Sequence, residues 1–251
     1  MTLNFAELTQ KMRAGARPDE EDILAVLEAG PGATFALVEF ASEFRRMFFQ
    51  NTLEVTNLLT PAGKVPPAPV DEGAVVTVGA GESTAELAAA IIQAGQAEDS
   101  GLVTVNYKVP DADDEASSAD SLTPMYCLRV LAAVRLVSVA KSVRVGQGRD
   151  LHLRSLQALA MHVLDSLQLR DYRESEAAGI FDDLKLIRDA GLSVNGAEGR
   201  DLEAEYITYL ESEGVEDARA TAEAILAGTE NLGGGGCGGN CSCGSGGCGG
   251  R

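Results

Sequence analysis

The chain has 251 residues, 45% of them hydrophobic, with no Trp and only 5% aromatics, so it can bury one domain-sized core built mainly from Ala, Val and Leu. Its 38 acidic and 20 basic residues leave a net charge of −18. That field repels nucleic-acid phosphates and anionic membranes, and no apolar run is long enough to span a bilayer. No nucleic acid and no membrane is expected as a partner. The first thirteen residues contain no apolar stretch of signal-peptide type, so a reducing, cytoplasmic location is expected.

The N-terminal third reads helical. Asp19 to Glu28 follows Pro18 and ends at Gly30, with Pro and Gly at the favoured ends. Ala33 to Gln50 follows, with Phe35, Val38, Phe40, Phe44, Phe48 and Phe49 as its apolar positions. Leu53 to Leu59 then reads as a strand, and Pro61 to Gly73 as a Pro/Gly-rich connector. Ala74 to Gly79 is a β-branched strand, Thr84 to Gln96 a helix, and Leu102 to Val109 a strand. An acidic loop at Asp111 to Asp120 precedes a helix opened by Thr123 and Pro124 and running to Leu136. Ser142 to Val145 reads as a strand, Leu151 to Leu164 as a helix, Ser166 to Leu169 as a strand, and Phe181 to Ala190 as a helix. Two C-terminal helices, Asp201 to Glu213 and Val215 to Ala227, flank Gly214.

Strand and helix alternate, which implies parallel strands joined by crossovers and an α/β class. A complete eight-stranded barrel needs about 250 residues, and only about 140 lie between Leu53 and Leu192. The expected fold is therefore a partial, incomplete parallel β/α barrel over residues 53–196. N-terminal helices over 1–52 precede it, C-terminal helices over 197–230 follow, and a disordered Gly/Cys-rich tail occupies 231–251.

Side-chain chemistry in the body is sparse. His152 and His162 lie ten residues apart on one expected helix and point to different sides, so each is expected to be exposed or hydrogen-bonded rather than to share a metal. Arg149, Asp150 and Arg154 read as a surface charge cluster, and Cys127 as a small buried hydrophobe.

The segment from Leu122 to Leu192 resembles the C-terminal part of biotin synthase. The matching landmarks are Thr123-Pro124, Leu128-Arg129, Ser142 to Val145, Gly148-Arg149, Ser155 to Gln157, Asp165-Ser166, Asp171-Tyr172 and Asp183 to Gly191. A fainter resemblance reaches back to Asp19. Val78 to Glu82 looks like the glycine-rich turn after the fifth barrel strand of radical S-adenosylmethionine (SAM) enzymes, and Leu102 to Tyr107 like the strand that follows. The resemblance implies that Gly79, Gly81 and Glu82 approach SAM, and that Asn106 contacts substrate. It also places Arg144 against a second cluster and Ser166 in the same cavity. Purely structural roles compete at each position: ion pairing for Arg144, backbone hydrogen bonding for Asn106, a tight turn for the two glycines, and helix-dipole stabilisation for Glu82.

The family's C-x-x-x-C-x-x-C signature is missing. Leu59 runs into Thr60-Pro-Ala-Gly-Lys-Val-Pro-Pro67, and no cysteine occurs between Leu59 and Val109; the resemblance implies that the family's next three barrel strands are deleted here. Iron–sulfur clusters need soft thiolate ligands, so SAM chemistry is not expected from the body.

Cysteines gather instead at the C-terminus. Cys237, Cys241, Cys243 and Cys248 are spaced C-x3-C-x-C-x4-C among glycines, enough to ligate one zinc ion or one iron–sulfur cluster. A flexible chain of free thiols, and a Gly-rich peptide whose Cys and Ser are cyclised into azoles, remain open alternatives. Three functions follow. The first is a degenerate biotin-synthase-like accessory or regulatory protein. Its partner is a full-length biotin synthase, a cluster-assembly protein or a second copy of itself. The second is a component of biotin-type sulfur insertion that uses the tail as cluster ligands. The third is a modified-peptide precursor.

Overall fold

The computed structural model describes residues 3–66, 73–109, 122–175 and 177–227. The acidic loop, most of the Pro/Gly connector's second half and the whole cysteine tail lie outside the described residues.

Three helices open the fold: α1 (Phe5–Arg13), α2 (Glu20–Glu28) and α3 (Pro31–Phe49). Asp19 caps α2 in a reciprocal capping box with Asp22, a device worth about 1 kcal/mol. Helix α1 is additional to the sequence expectation; Asn4 caps it by accepting from the Glu7 amide. Of the α3 phenylalanines, Phe40 and Phe44 are buried, while Phe35 and Phe48 are exposed.

Strands and helices then alternate: β1 (Thr52–Thr56), β2 (Ala74–Val78), α4 (Thr84–Gln96), β3 (Leu102–Tyr107), α5 (Pro124–Val137) and β4 (Ser142–Val145). Next come α6 (Arg149–Leu153), α7 (Gln157–Ala160), β5 (Ser166–Gln168), α8 (Tyr172–Ser175), α9 (Ala178–Asp189) and β6 (Ser193–Val194). Helices α10 (Leu202–Ser212) and α11 (Ala218–Leu226) complete the body.

Every described strand pairing is parallel, forming sheets β2-β3-β4 and β5-β1-β6. The Asp165 amide donates to the Val143 carbonyl at 3.2 Å and joins them, so the running order is β2-β3-β4-β5-β1-β6. Among the described residues no pairing links β2 back to β6, and the α/β architecture does not close into a barrel.

The strand faces differ in chemistry. Val76, Val78, Val103, Val105, Tyr107, Val143 and Val145 are buried, and the Tyr107 hydroxyl donates to the Cys127 carbonyl in α5 at 3.0 Å. The alternate positions on these strands include Thr77, Thr104, Asn106 and Arg144. A single apolar core runs from Leu8 to Ala222.

Two buried arginines fasten the sheet. Arg135 on α5 donates to the carbonyls of Val163 (3.0 Å), Ser138 (3.2 Å) and Lys141 (2.8 Å) and pairs with Asp165. Asp165 also accepts from the Val143 amide at 2.9 Å and from Ser142 Oγ at 2.7 Å. Arg45 on α3 donates to the carbonyls of Leu164 (2.9 Å), Thr52 (2.6 Å) and Gln50, tying α3 to the starts of β1 and β5. Burial pulls both guanidinium pKa values down, opposed by the Asp165 charge.

Several expected boundaries move. The single helix over 151–164 is α6, a 3₁₀ turn (Arg154–Leu156) and α7, because Arg154 has φ 49° and Met161, Val163 and Leu164 are buried almost in succession. One amphipathic helix cannot bury that run. His152 and His162 therefore do not share a helix. The expected strand to Leu59 ends at Thr56, since Asn57 (φ 64°) turns the chain. The second C-terminal helix begins at Ala218 rather than Val215, after Asp217 with φ 56°. Strand β6 is too short, at two residues, to show any sequence period.

Candidate functional site

A cleft of about 930 Å³ opens at the C-terminal ends of β3, β4 and β5. That is where an open parallel sheet places its ligand sites. Its floor is Thr104, Asn106 and Arg144. Thr104 and Arg144 are register partners on neighbouring strands, and Asn106 lies two residues along from Thr104 on the same face.

Arg144 is 3% exposed, and its Nε donates to Thr104 Oγ1 at 3.0 Å. Asn106 Oδ1 accepts from the Gln147 amide at 2.9 Å. Gly146 makes this possible: a Cβ there would lie 2.1 Å from Asn106 Oδ1, so any side chain would displace the Asn106 amide from its position over the β4 turn.

The cleft wall carries a compact ion network. Arg149 donates to Asp183 at 2.5 Å and lies 3.4 Å from Asp150. Arg170 donates to Asp150 at 3.0 Å, sits 3.1 Å from Asp183, and its amide donates to Asp183 Oδ2 at 3.0 Å. Arg149 is buried and Asp183 completely so; the expectation of a surface charge cluster is corrected at Arg149. The physical reason is Asp183 on α9, a buried carboxylate that needs a counter-charge and fixes α9 against the turn after β4. Asp150 and Arg154 do remain at the surface.

Aromatics from α8 and α10 close the opposite side. Tyr206 donates to the Asn57 carbonyl at 3.0 Å and accepts from the Leu59 amide at 2.7 Å, pinning the turn after β1 into the cleft. Tyr172 and Tyr206 each meet Tyr209 edge-on, with centroids 6.0 and 6.5 Å apart. Burial pushes the Tyr206 and Tyr209 phenols up to about 12, so both are neutral hydroxyls at physiological pH.

Of the residues expected at a site, Asn106 and Arg144 come together in the cleft. Ser166 is buried at the start of β5 but is not among the cleft's lining residues. Gly79, Gly81 and Glu82 also lie outside that lining. The Glu82 carboxylate accepts from the amides of Gly79 and Ala80, both at 2.7 Å, while Ser83 caps α4. Cys237, Cys241, Cys243 and Cys248 fall outside the described residues. His152 is buried with Nε2 2.9 Å from the Lys108 carbonyl, and His162 is exposed, as expected of each.

The sequence reading missed Asn57, Arg170, Tyr206 and Tyr209. The i, i+3 spacing of the two tyrosines on an otherwise acidic helix was the available signal.

The donor set of the body does not fit an iron–sulfur cluster. Cys127 is the one described cysteine; it is buried on α5, absent from the cleft, and burial pushes its thiol up to about 12. Among the described residues no group of three or more His, Cys, Asp or Glu is placed to hold a metal ion. No described helix is long and apolar enough to cross a membrane.

Residues 102–193 match the Biotin and Thiamin Synthesis associated domain, a region that covers β3 to β6 and most of the cleft. The chain is also similar to named biotin synthases. It is 45% identical to that of Kocuria rhizophila over 95 residues, which is 38% of this chain and 20% of the relative. With the Nocardioides sp. protein it shares 38% over 122 residues, 49% of this chain and 32% of the relative. With the Streptomyces coelicolor protein it shares 40% over 119 residues, 47% of this chain and 29% of the relative. The chain thus spans between a fifth and a third of the length of these relatives, and over that span it is biotin-synthase-like.

Proposed function

We propose that this chain is an accessory or regulatory biotin-synthase-like protein that does not itself cleave SAM. Its cysteine tail binds zinc or an iron–sulfur cluster, and its partner is a full-length biotin synthase or a cluster-supplying protein. The observation that carries this reading is a contrast within one cleft. Arg144 on β4 and Asn106 on β3 line the cleft, while the chain leaving β1 presents Asn57, Val65 and Pro66 there and no thiol. The remnant strands fit a partial β/α barrel: six parallel strands in barrel-like succession, with β1 beside β5.

Guanidinium groups, amides and neutral phenols of the cleft can hold and orient a polar ligand. The test is anaerobic reconstitution with iron and sulfide. The expected result is no formation of 5′-deoxyadenosine above background. In a truncation after Asn231, metal content falls to background while thermal unfolding of the body is unchanged. Deoxyadenosine at enzymatic rates would overturn the first half of this reading, and equal metal content in both proteins the second.

A further inference from the structure

Arg129 on α5 is a buried cation without a counter-ion. It is 8% exposed, and among the described residues its one hydrogen bond runs from Nη1 to Thr34 Oγ1 on α3 at 3.1 Å. Its Nε is buried with no partner, and the guanidinium lies 5.5 Å from the centroid of the Tyr126 ring. Elsewhere in the core the pattern differs. Arg45 donates to three carbonyls, Arg135 to three carbonyls and Asp165, and Arg149 to Asp183. The chain has 38 acidic residues against 20 basic ones, yet among the described residues no carboxylate pairs with Arg129. Burial pulls its guanidinium pKa down, opposed only by Tyr126 and Cys127. A buried charge left without an opposite charge is costly.

The same corner holds the start of α3. Thr34 is the fourth residue of that 19-residue helix and is fully buried. Helical side chains lean toward the N-terminus, so the guanidinium bonded to Thr34 lies beside the first turn. Helices α2, α4 and α5 each have a side-chain cap, whereas α3 follows Gly30 and has none. Pro31 has no N–H, the Ala33 amide bonds to the Gly30 carbonyl at 3.0 Å, and the Gly32 amide has no partner among the described residues. The partial charge of a helix start, about +0.5, therefore adds to the charge of Arg129. Pro31, Gly32 and Phe35 are exposed around it, and a Cβ added at Gly30 or Gly32 would meet nothing within 4 Å. The approach to this corner is open.

We propose that this corner between α3 and α5 binds a singly charged carboxylate carried on an apolar group. A carboxylate supplies the counter-charge that Arg129 lacks, and it accepts from guanidinium and helix-start N–H groups. One full and one partial positive charge match a single negative charge. A phosphate dianion would meet twice the repulsion from a chain of net charge −18. Phe35, 55% exposed, with Pro31 and the half-buried Tyr126, offers apolar surface to the rest of the ligand. Glu82, whose charge is felt at Tyr126, is already held by the Gly79 and Ala80 amides. Thr34, Phe35, Tyr126 and Arg129 are not among the residues lining the cleft, so this site is separate from it.

The experiment uses the full chain in chloride-free buffer, with benzoate and hexanoate as probes and acetate, benzamide and inorganic phosphate as controls. Binding is read by thermal unfolding and by two-dimensional NMR. At about ten times its Kd, benzoate or hexanoate is expected to raise Tm by about 3–6 °C. The Gly32 amide and Arg129 Nε–H signals are expected to shift with it. Acetate, which lacks the apolar group, is expected to bind about tenfold more weakly or worse. Phosphate is expected to bind more weakly than benzoate, and uncharged benzamide not at all. Arg129→Met is expected to abolish the rise in Tm without lowering the ligand-free value, because no counter-ion is stranded. Gly30→Asp, at an exposed position with room for a side chain, sets a tethered carboxylate at the same helix end. It is expected to weaken benzoate by about tenfold. The proposal is overturned if neither benzoate nor hexanoate binds, if benzamide or phosphate binds as well as benzoate, or if either variant binds benzoate as the parent does.

Discussion

Replacing Asp165 by Ala removes a carboxylate that joins the two three-stranded sheets. Its partner Arg135 is 0% exposed, and Asp165 itself is 2% exposed, so solvent cannot take over the lost interaction. The variant leaves a buried guanidinium with only neutral carbonyls, and it also strands Ser142 Oγ and the Val143 amide, which the same carboxylate satisfies. Breaking a buried pair by deleting one member costs about 3–5 kcal/mol. For a body of this size that corresponds to a fall of about 6–20 °C in Tm. Urea unfolding should show a lower midpoint with an unchanged m-value if only the native state is affected. The paired variant Arg135→Met with Asp165→Leu replaces both charges by apolar groups and is expected to be less destabilised than Asp165→Ala alone. A loss below about 1 kcal/mol for Asp165→Ala, or a double variant worse than the sum of the singles, would refute the view that this pair is the seam of the sheet.

Other outcomes follow from single positions. Gly148 has φ 75°, and a Cβ there would lie 2.5 Å from the Tyr107 carbonyl, so Gly148→Val should cost about 2–3 kcal/mol in chemical denaturation. The Cys127 thiol, buried and pushed up to about 12, should be inert to thiol reagents in the native state at pH 8. A Cys127→Ala variant then labels to the same extent as the parent until denaturant is added. Asp19 is held below its ordinary 3.8, first by the hydrogen bond from Lys11 and then by the Asp22 amide. A depressed carboxyl stabilises the fold above its unfolded pKa, and that contribution is lost as pH falls through the folded value. The stability gap between parent and Asp19→Asn should therefore narrow below about pH 4, read from urea midpoints across pH.

The alternation of β-branched runs with helices was legible because each signal is local. Ala74 to Val78 and Leu102 to Tyr107 are bounded by Gly or by turn residues, and Thr123 with Pro124 announces α5 outright. The elements that were misplaced depend on distant partners. The helix ends at Ala160, short of Leu164, where Arg135 and Arg45, from α5 and α3, take the carbonyls of Val163 and Leu164. Asn57 leaves the strand where the Tyr206 hydroxyl, 149 residues away, donates to its carbonyl. Within the cleft, Asn106 and Arg144 were recognisable from resemblance, and their shared face follows from strand register. Arg149 was misread because its partner Asp183 comes from a helix more than thirty residues further on, and a charged residue beside Asp150 ordinarily faces water.

The same strand alternation explains how a sheet that does not close can persist. In a closed barrel both faces of every strand are covered, and opening it would normally expose apolar side chains at about 25 cal/mol per Å². Here the valines of β2, β3 and β4 that are buried, together with Tyr107, occupy one set of alternating positions. The other set is largely polar: Thr77, Thr104, Asn106, Arg144, Ser166 and Gln168. Arg144 and Thr104 satisfy each other at 3.0 Å, and Asn106 is occupied by the Gln147 amide, so this face tolerates water without orphaned buried groups at those positions. Val75 is the exception, an apolar residue 42% exposed on β2, the first strand in the running order. A polar interior that serves a ligand in a closed barrel is, for this reason, also the surface least damaged by opening one. The cleft can therefore sit on a sheet that does not close.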